Sequence, residues 1–460
     1  MAMDISSARV LTAPARALEC TVATDVAQAE AIWPAWTELL ERSECNELTQ
    51  SPDWLLTWWR VFGGLHGRQL RLGLFHEGER LVGLAPVLRR RHWYRGWLPF
   101  WRLEFLASGE PPEDGIYSNH LAVLAERGAE EKVAHRLVEA IAGGAFGSWD
   151  EVVLPMMSGD TAMPDRLVEA FRAARYRAEA TVMAGAPYIC LPATWDAYLR
   201  SMSANSRRNL ERSLRTFDKW SQETTELECI SSSADLEKGK SILMSLHHER
   251  WSSADETGVF RSPLFLGFHD RMMGALAERG SLELLILRGR SEPVAALYSM
   301  VWAGKVYAYQ TGRRTDLPAN LRPGGVLLSL AIRRAIEQGR ASSICSRTRR
   351  STKPSSPRIR GRSSRCGRRE PAWSRRFAKL AFRASPTSGG CGERKPMHLP
   401  FRNNLSWVSH RRAVTQSPLV GLTLKVRFAT TTLARSRARG MMVHASPDSS
   451  VHVDGRPGTF

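Results

Sequence analysis

The sequence has no paired cysteines. The number of cysteines, seven, is odd, and no two of them form a C-x-x-C pair. They are scattered over the 460 residues at Cys20, Cys45, Cys190, Cys229, Cys345, Cys366 and Cys391. Disulfide scaffolds use an even set of cysteines, and structural zinc sites commonly use C-x-x-C pairs. The pattern therefore argues against both classes. It predicts a reducing, cytoplasmic compartment and no bound metal.

Long apolar runs are also missing. No run of about 18 apolar residues occurs, so no membrane-spanning helix is expected. Residues 1–17 contain no continuous apolar core of about seven residues, which argues against a secretory signal. Residues 1–19 are predicted to be a disordered N-terminus.

The common nucleotide and hydrolase motifs are absent. The sequence has no G-x-x-x-x-G-K-[ST] phosphate loop, no G-x-G-x-x-G dinucleotide fingerprint and no H-E-x-x-H zinc motif. The G-x-S-x-G nucleophile elbow and the protein-kinase signatures are missing as well. These absences argue against the corresponding enzyme classes.

The net excess of positive charge lies at the end of the chain. The net charge is +19, but residues 341–460 hold 25 of the 65 Lys and Arg and only 4 of the 46 Asp and Glu. The first 340 residues are nearly neutral, so no specific nucleic-acid partner is expected for them. The length itself predicts two or three domains.

The apolar periodicity predicts an α/β (α+β) fold in two similar halves. Domains are expected at 20–192 and 193–340, each with a mixed sheet, followed by a basic tail of low order at 341–460. Strand, charged turn and strand recur in the two halves as hairpins. Helices are predicted at 27–42, from Ser51, at 131–142, 165–174, 206–220, 265–277 and 326–338. Strands are predicted at 69–76, 81–88, 103–106, 151–154, 282–287, 293–302 and 305–311.

The strongest chemical signal is the unit from Lys305 to Gln338. A tyrosine-rich strand leads to Arg313 and Arg314, and Arg322-Pro323-Gly324-Gly325 then precedes a helix. A helix N-terminus presents unpaired N–H groups, and glycines let a phosphate approach them closely. The arginines could add charge-assisted contacts. The alternative is an ordinary loop before a helix.

Three further segments carry chemistry-bearing side chains. His247-His248-Glu249-Arg250 could serve general acid–base catalysis, or one histidine could simply be buried in a helix. The arginines of the 206–220 helix could meet phosphates or form a solvated face. The segment 89–97, RRRHWYRGW, suits a membrane surface or single-stranded nucleic acid, and a hairpin tip explains it equally well.

With these residues identified, the chain resembles the GNAT acetyltransferase superfamily, specifically its CelD-like, cellulose-biosynthesis-associated branch with two GNAT-like halves. The resemblance covers about residues 20–340. It rests on the order and spacing of segments 36–39, 51–54 with Trp58, 81–86, 246–251 and 322–325.

The resemblance implies an acyl-coenzyme A donor, such as acetyl-CoA, and an amine or hydroxyl acceptor, including polysaccharide precursors of the cell envelope. It implies that the coenzyme pyrophosphate binds at 321–326, through Arg322, Gly324, Gly325 and Val326 with help from Arg313. The backbone at Ala308 and Gln310 would bind the thioester oxygen. The usual Q/R-x-x-G-x-G/A motif is replaced here by Arg322-Pro323-Gly324-Gly325.

Tyr307, Tyr309 and His248 are the residues predicted to transfer protons, because strand 305–311 and a long helix through Leu243, Leu246 and Trp251 are expected to flank the cleft. Two other functions remain open. A duplicated scaffold can lose its site and become a binding module, and aminoacyl transferases of the peptidoglycan cross-bridge type share the doubled architecture.

The basic tail has a second interpretation, translation out of frame. Back-translation from Ser342 with free wobble bases, read from the previous third base, gives EFDLLADEAVYKAQLAPDPRPLLEVR. This string resembles the D-L-L…D-E…Y-K segment that the family carries after its main helix. On this hypothesis the chain lacks its fifth strand and final helix, and strand 306–310 has an exposed edge. The alternative is a genuine basic tail.

Overall fold

The computed structural model describes residues 17–253, 258–345, 349–350 and 415–424. The elements before residue 193 are β1 Glu19–Ala23, α1 Val26–Ala31, α2 Trp33–Arg42, α3 Pro52–Phe62, β2 Gln69–Glu77, β3 Arg80–Tyr94, β4 Leu98–Phe105, β5 Leu124–Ala125, α4 Glu130–Ala142, β6 Glu151–Ser158, α5 Met163–Ala173 and β7 Glu179–Cys190. The elements after it are α6 Trp195–Ser201, α7 Ala204–Trp220, β8 Glu226–Ile230, α8 Leu236–Ser252, α9 Pro263–Glu278, β9 Leu282–Gly289, β10 Glu292–Trp302, β11 Lys305–Arg313, α10 Pro323–Glu337, β12 Ser342–Cys345, β13 Arg349–Arg350 and β14 Thr415–Leu424.

Local sequence signals set several helix starts. Ser51 caps α3 by accepting a hydrogen bond from the Trp54 N–H at 3.2 Å, and Pro52 occupies its first turn, as predicted. The single helix predicted over 27–42 is wrong, since α1 ends at Ala31 and α2 begins at Trp33. Pro34 lies in the first turn of α2, where its missing N–H costs nothing.

The strands form one mixed sheet, which confirms the predicted mixed α/β fold. Their order is β1-β2-β3-β4-β6-β14-β7-β12-β11-β10-β9-β8, with β5 pairing β3 and β13 pairing β7. The parts of the chain before and after residue 193 are here called the first and second halves. Each half contains an antiparallel meander, a helix and a strand that returns parallel to the meander's last strand. These are β2-β3-β4, α4 and β6 in the first half, and β9-β10-β11, α10 and β12 in the second.

Helices cover both faces of the second half of the sheet. On one face, α7 and α10 pack through Phe217, Val326 and Leu327. On the other face, α8 and α9 bring Leu243, Phe265 and Phe268 into a core that continues into the first half. Trp54 of α3 meets Phe268 of α9 edge-on, with ring centroids 4.9 Å apart. One apolar core therefore joins the two halves.

The expected loss of the strand after α10 is wrong. Ser342–Cys345 forms β12, which pairs in parallel with β11 from Lys305↔Ser342 to Ala308↔Cys345. β14 also lies in the segment predicted to be irregular and pairs with β6 and β7. The rest of the 341–460 prediction, and residues 1–16 of the predicted disordered N-terminus, lie outside the described residues.

Candidate active site

The predicted strand–loop–helix unit contains a break in the sheet at Tyr309. The β10–β11 register runs from Tyr298↔Gln310 to Ser299↔Ala308, so Tyr309 is the extra residue of a β-bulge. The described pairing of β11 with β12 runs in parallel from Lys305↔Ser342 to Ala308↔Cys345.

The start of α10 lies beside this break. The backbone at Arg322 is in the left-handed region, with φ +46°, and its carbonyl accepts from the N–H groups of Gly325 and Val326 at 2.8 and 3.1 Å. A Cβ on Gly324 would lie 3.6 Å from Cδ of Arg313. The structure therefore brings together Arg313, Gly324 and the exposed Arg322, around the positive end of a helix dipole.

Successive residues of β11 contribute to different surfaces. Ala308 packs in the apolar cluster that contains Val326 and Leu327 of α10. Tyr307 and Tyr309 belong instead to the core shared with the first half. The sheet thus separates the start of α10 from the two tyrosines predicted to transfer protons.

Tyr309 is held by contacts from both halves of the chain. Its hydroxyl donates to the carbonyl oxygen of Ile116 and lies 3.1 Å from Nε2 of His269. Because the hydroxyl proton is used by Ile116, His269 must donate from Nε2, which leaves Nδ1 deprotonated. Burial lowers the pKa of His269 to about 3, so the imidazole is neutral, and Nδ1 has no hydrogen-bond partner.

Glu110, in the loop after β4, belongs to the same polar cluster as Tyr309, His269 and the Ile116 backbone. Oε1 of Glu110 accepts the N–H of Ile116 at 3.1 Å, while Oε2 is shielded from solvent and has no partner. Burial raises the pKa of Glu110 to about 7. The hydroxyl of Tyr298, whose ring centroid lies 5.6 Å from those of both His269 and Tyr309, is another buried group without a partner. The site therefore concentrates unpaired polar atoms, which are rare in folded interiors.

The loop that carries Glu110 is strained and anchored to the second half. Ala107, Tyr117 and His120 are non-glycine residues with positive φ angles of 58°, 52° and 59°. Each such residue costs about 1–2 kcal/mol. The loop is held by Asp114, which accepts from Ser262 Oγ, and by Ser118, which accepts from Trp54 Nε1 at 2.8 Å. Strain that is retained in this way is characteristic of functional loops.

Tyr307 is tied to a separate polar cluster between the halves. Its hydroxyl donates to Oε2 of Glu47, and Nζ of Lys305 lies 2.6 Å from Oε1 of the same carboxylate. Trp302 Nε1 donates to Oδ1 of Asn46 at 2.7 Å. Burial and the Glu47 carboxylate raise the pKa of Tyr307 well above its usual value. The hydroxyl therefore keeps its proton and joins the two halves.

The two adjacent histidines of α8 have different surroundings. His247 is 1 % exposed and meets Phe260 edge-on at 4.7 Å, which confirms the interpretation that one of them is buried. His248 is exposed and lies 3.4 Å from Ser252 Oγ. Gly312 of β11 passes against the α8 backbone, where a Cβ would lie 2.4 Å from the His247 nitrogen. His248 is not part of the Tyr309 cluster.

Sequence reasoning missed Glu110 and His269. His269 had a usable signal, since it occupies the apolar face of α9 four residues after Phe265 and three before Met272, where a polar residue is unusual. Glu110 had none, because it stands in an irregular Gly/Pro-rich loop.

Among the described residues, no group of His, Cys, Asp and Glu is arranged to hold a metal ion. The helices of that same part of the chain include none that is long and apolar enough to cross a bilayer.

Several solved structures are similar in fold. FemX is 11% identical, with a TM-score of 0.48, covering 68% of this chain and 86% of FemX. The C-terminal domain of a putative lysylphosphatidylglycerol synthetase from Agrobacterium fabrum is 11% identical, with a TM-score of 0.39, covering 69% of this chain and 77% of that domain. A tandem GNAT protein from the clavulanic acid biosynthesis pathway is 8% identical, with a TM-score of 0.36. The match covers 73% of this chain and 91% of the tandem GNAT protein.

Sequence comparison gives one family match. No curated protein matches this chain. Residues 204–344, which run from α7 into β12, match the family described as acetyltransferase (GNAT) domain. This part of the chain is therefore similar to GNAT acetyltransferase domains, and it contains the bulge at Tyr309, the start of α10 and most of the parallel strand β12.

Proposed function

We propose that this protein transfers an acyl group from acyl-CoA to an amine or hydroxyl acceptor. The observation that carries the proposal is the β-bulge at Tyr309 of β11, close to the glycine-containing start of α10, where a Cβ on Gly324 would lie 3.6 Å from Cδ of Arg313. An extended thioester could lie along β11 next to the bulge while its pyrophosphate meets the helix N-terminus. Arg313 and Arg322 would bind phosphate oxygens together with the N–H of Gly324, while Gly325 and Val326, whose N–H groups donate to the Arg322 carbonyl, would shape the first turn of the helix.

The backbone between Ala308 and Gln310 is assigned to the thioester oxygen. When the acceptor attacks the carbonyl carbon, negative charge develops on this oxygen, and fixed N–H donors stabilise it. The C–S bond then breaks and coenzyme A leaves. The bulge suits this role because it displaces one residue from the ladder with β10 and so redirects the local N–H groups.

Glu110 is the group that we assign to take the proton from the acceptor. A pKa of about 7 leaves a large fraction ionised near neutrality while keeping the carboxylate basic. Tyr309 and His269 position the loop through Ile116 and line the same cluster. Tyr307 is engaged with Glu47 and His248 faces solvent, so neither is given a role in the chemistry.

The acceptor class follows from the CelD-like resemblance alone, which favours a polysaccharide precursor of the cell envelope. A non-catalytic binding module and an aminoacyl transferase are the competing functions. A thermal-shift comparison distinguishes the three: acetyl-CoA stabilises an acyltransferase, aminoacyl-tRNA stabilises the third class, and neither stabilises a module that has lost its site.

Calorimetry on glycine variants tests the coenzyme site. Gly324→Leu places a side chain where phosphates would approach and should lower acetyl-CoA affinity by at least about tenfold, or 1.4 kcal/mol. Gly274→Leu is the matched control, since Gly274 is a helical glycine with nothing within 4 Å of its Cβ position. Equal acetyl-CoA affinities in the two variants would contradict the assignment, provided both unfold at the wild-type temperature.

A further inference from the structure

The hairpin between β3 and β4 ends in a cluster of exposed apolar side chains. Trp93 is 51% exposed, Trp97 68% and Leu98 40%. In the described part of the chain, the other exposed large hydrophobic residues are Tyr117, Val182 and Met183. Half of this set therefore lies within residues 91–98, here called the β3–β4 tip. Such a concentration marks an interaction surface.

The tip is rigid, so the exposure is built into the fold. Tyr94 donates to Oε2 of Glu151 at 2.6 Å and accepts from Nη2 of Arg102 at 3.0 Å. Arg95 and Gly96 have φ angles of 50° and 76°, as in a type I′ hairpin turn, and the Trp97 N–H returns to the Tyr94 carbonyl at 3.3 Å. The tryptophans are thus held outward.

Positive charge surrounds these apolar side chains. Arg91 and Arg95 are exposed, and Arg89 stacks on the Trp101 ring with its guanidinium carbon 3.5 Å from the centroid. The neighbouring carboxylates have other partners. Asp150 accepts the Trp101 N–H at 2.7 Å, Glu151 is paired with Arg102, and Glu104 is paired with Arg90. Among the residues that the structure describes, Arg91 and Arg95 form no salt bridge with a carboxylate, and Arg91 lies over the Trp101 ring with its guanidinium carbon 5.0 Å from the centroid.

We propose that the β3–β4 tip docks on an anionic phospholipid surface, with Trp93, Trp97 and Leu98 entering the boundary between headgroups and acyl chains. Tryptophan is favoured at that depth, because its ring is apolar while its N–H still needs a polar partner. Arg91 and Arg95 bind lipid phosphates, since basic residues close to an anionic surface are attracted to it.

A lipid surface fits better than single-stranded nucleic acid. Bases offer flat faces on which tryptophan can stack, but they offer no apolar volume for the exposed Leu98 next to Trp97. A bilayer accepts an aromatic and an aliphatic side chain at the same depth. The proposal is independent of the acyl-transfer function, because the tip shares no residue with the candidate active site.

Vesicle co-sedimentation of the full chain tests the proposal. Wild type should bind phosphatidylcholine vesicles that contain about one quarter phosphatidylglycerol more tightly than pure phosphatidylcholine vesicles. The double variant Trp93→Ser/Trp97→Ser should lower the partition coefficient by about tenfold or more. Val182→Ser/Met183→Ser removes exposed apolar surface from β7 and is the matched control, expected to bind like wild type.

The basic segment 341–460 is present in every variant, so its attraction to anionic lipid cancels in the comparison. Brominated phosphatidylcholine in the vesicles adds a local readout, because it should quench tryptophan fluorescence in wild type and much less in the double variant. Equal partitioning and equal quenching in the double variant and the β7 control would overturn the proposal. Tip-dependent binding of oligouridylate without tip-dependent vesicle binding would also overturn it, in favour of nucleic acid. Circular dichroism and thermal unfolding confirm that each variant is folded.

Discussion

Glu110 and Tyr309 both hydrogen-bond to the backbone of the same residue, Ile116. The Tyr309 hydroxyl donates to the carbonyl oxygen of Ile116, and Oε1 of Glu110 accepts the N–H of Ile116 at 3.1 Å. Tyr309 and Ile116 are 193 positions apart in the sequence. A loop of the first half is therefore fixed at the bulge of the second half's sheet, and the proposed proton acceptor is fixed with it.

The raised pKa of Glu110 predicts a pH-dependent stability difference. Burial raises this pKa from 4.5 to about 7, so the folded protein holds a proton that the unfolded chain releases between these values. Stability contributed by the protonated carboxyl is complete below pH 4.5 and is lost as pH rises through 7. Relative to Glu110→Gln, wild type should lose up to about 3 kcal/mol over this window. Urea unfolding at several pH values measures the difference, and parallel curves for the two proteins would contradict it.

Replacing Tyr309 should impair transfer more than coenzyme binding. Tyr309→Phe leaves the Ile116 carbonyl and Nε2 of His269 without their partner, which costs about 1–3 kcal/mol and loosens the loop that carries Glu110. We expect single-turnover acyl transfer to fall by at least about tenfold with acetyl-CoA affinity unchanged. His248→Ala, on the exposed side of α8, is the control. Single-turnover rates close to the wild-type rate in both variants would mean that neither Tyr309 nor His248 contributes to transfer.

The contact between Tyr307 and Glu47 should be visible as energetic coupling between the halves. Tyr307→Phe and Glu47→Gln each remove one partner of a part-buried cluster that also contains Lys305. Because both changes break the same interaction, the double variant should be more stable than the sum of the single losses predicts, by about 0.5–3 kcal/mol. Denaturant unfolding of the four proteins provides this cycle. Strict additivity would show that the contact contributes nothing.

Gly312 should not tolerate any side chain. Its Cβ would lie 2.4 Å from the His247 nitrogen and 2.6 Å from the Leu246 carbonyl carbon, and these backbone atoms cannot rotate away. Gly312→Ala should therefore destabilise the fold by about 1–3 kcal/mol or more, because β11 must move away from α8. Gly274→Ala, in open space on α9, should be neutral or stabilising. Thermal unfolding of both variants measures the contrast.

Translation out of frame after α10 remains a prediction. Resequencing the gene around the codons of Gly339, Arg340 and Ala341 is expected to reveal a one-base error, after which the true chain continues with the D-L-L…D-E…Y-K segment. A confirmed frame through Phe460, together with a soluble and active product, would end this hypothesis. β12 itself does not decide the question, because its pairing with β11 uses backbone groups that every residue except proline possesses.

Local features were predictable from the sequence and distant pairings were not. The start of α3 at Ser51-Pro52 follows from capping rules that involve only adjacent residues. The predicted start of the later helix at Val326 is wrong, since α10 already begins at Pro323 and takes Gly324 and Gly325 into its first turn. β3 extends to Tyr94, beyond its predicted end, because its arginine-rich part still pairs with β4. The hydrogen bonds from Tyr309 and Glu110 to Ile116 depend on how the two halves pack, and the apolar periodicity of the sequence carries no information about that contact.

The continuous core between α3 and α9 limits how this molecule can be divided. If the chain were cut between the halves, Trp54 and Phe268 would each lose the ring that covers it, and Ile116 would lose Tyr309. Each fragment would expose aromatic surface that favours aggregation. The unit available for recombination, or for transplantation into an engineered enzyme, is therefore the whole segment from β1 to β12 and neither half alone.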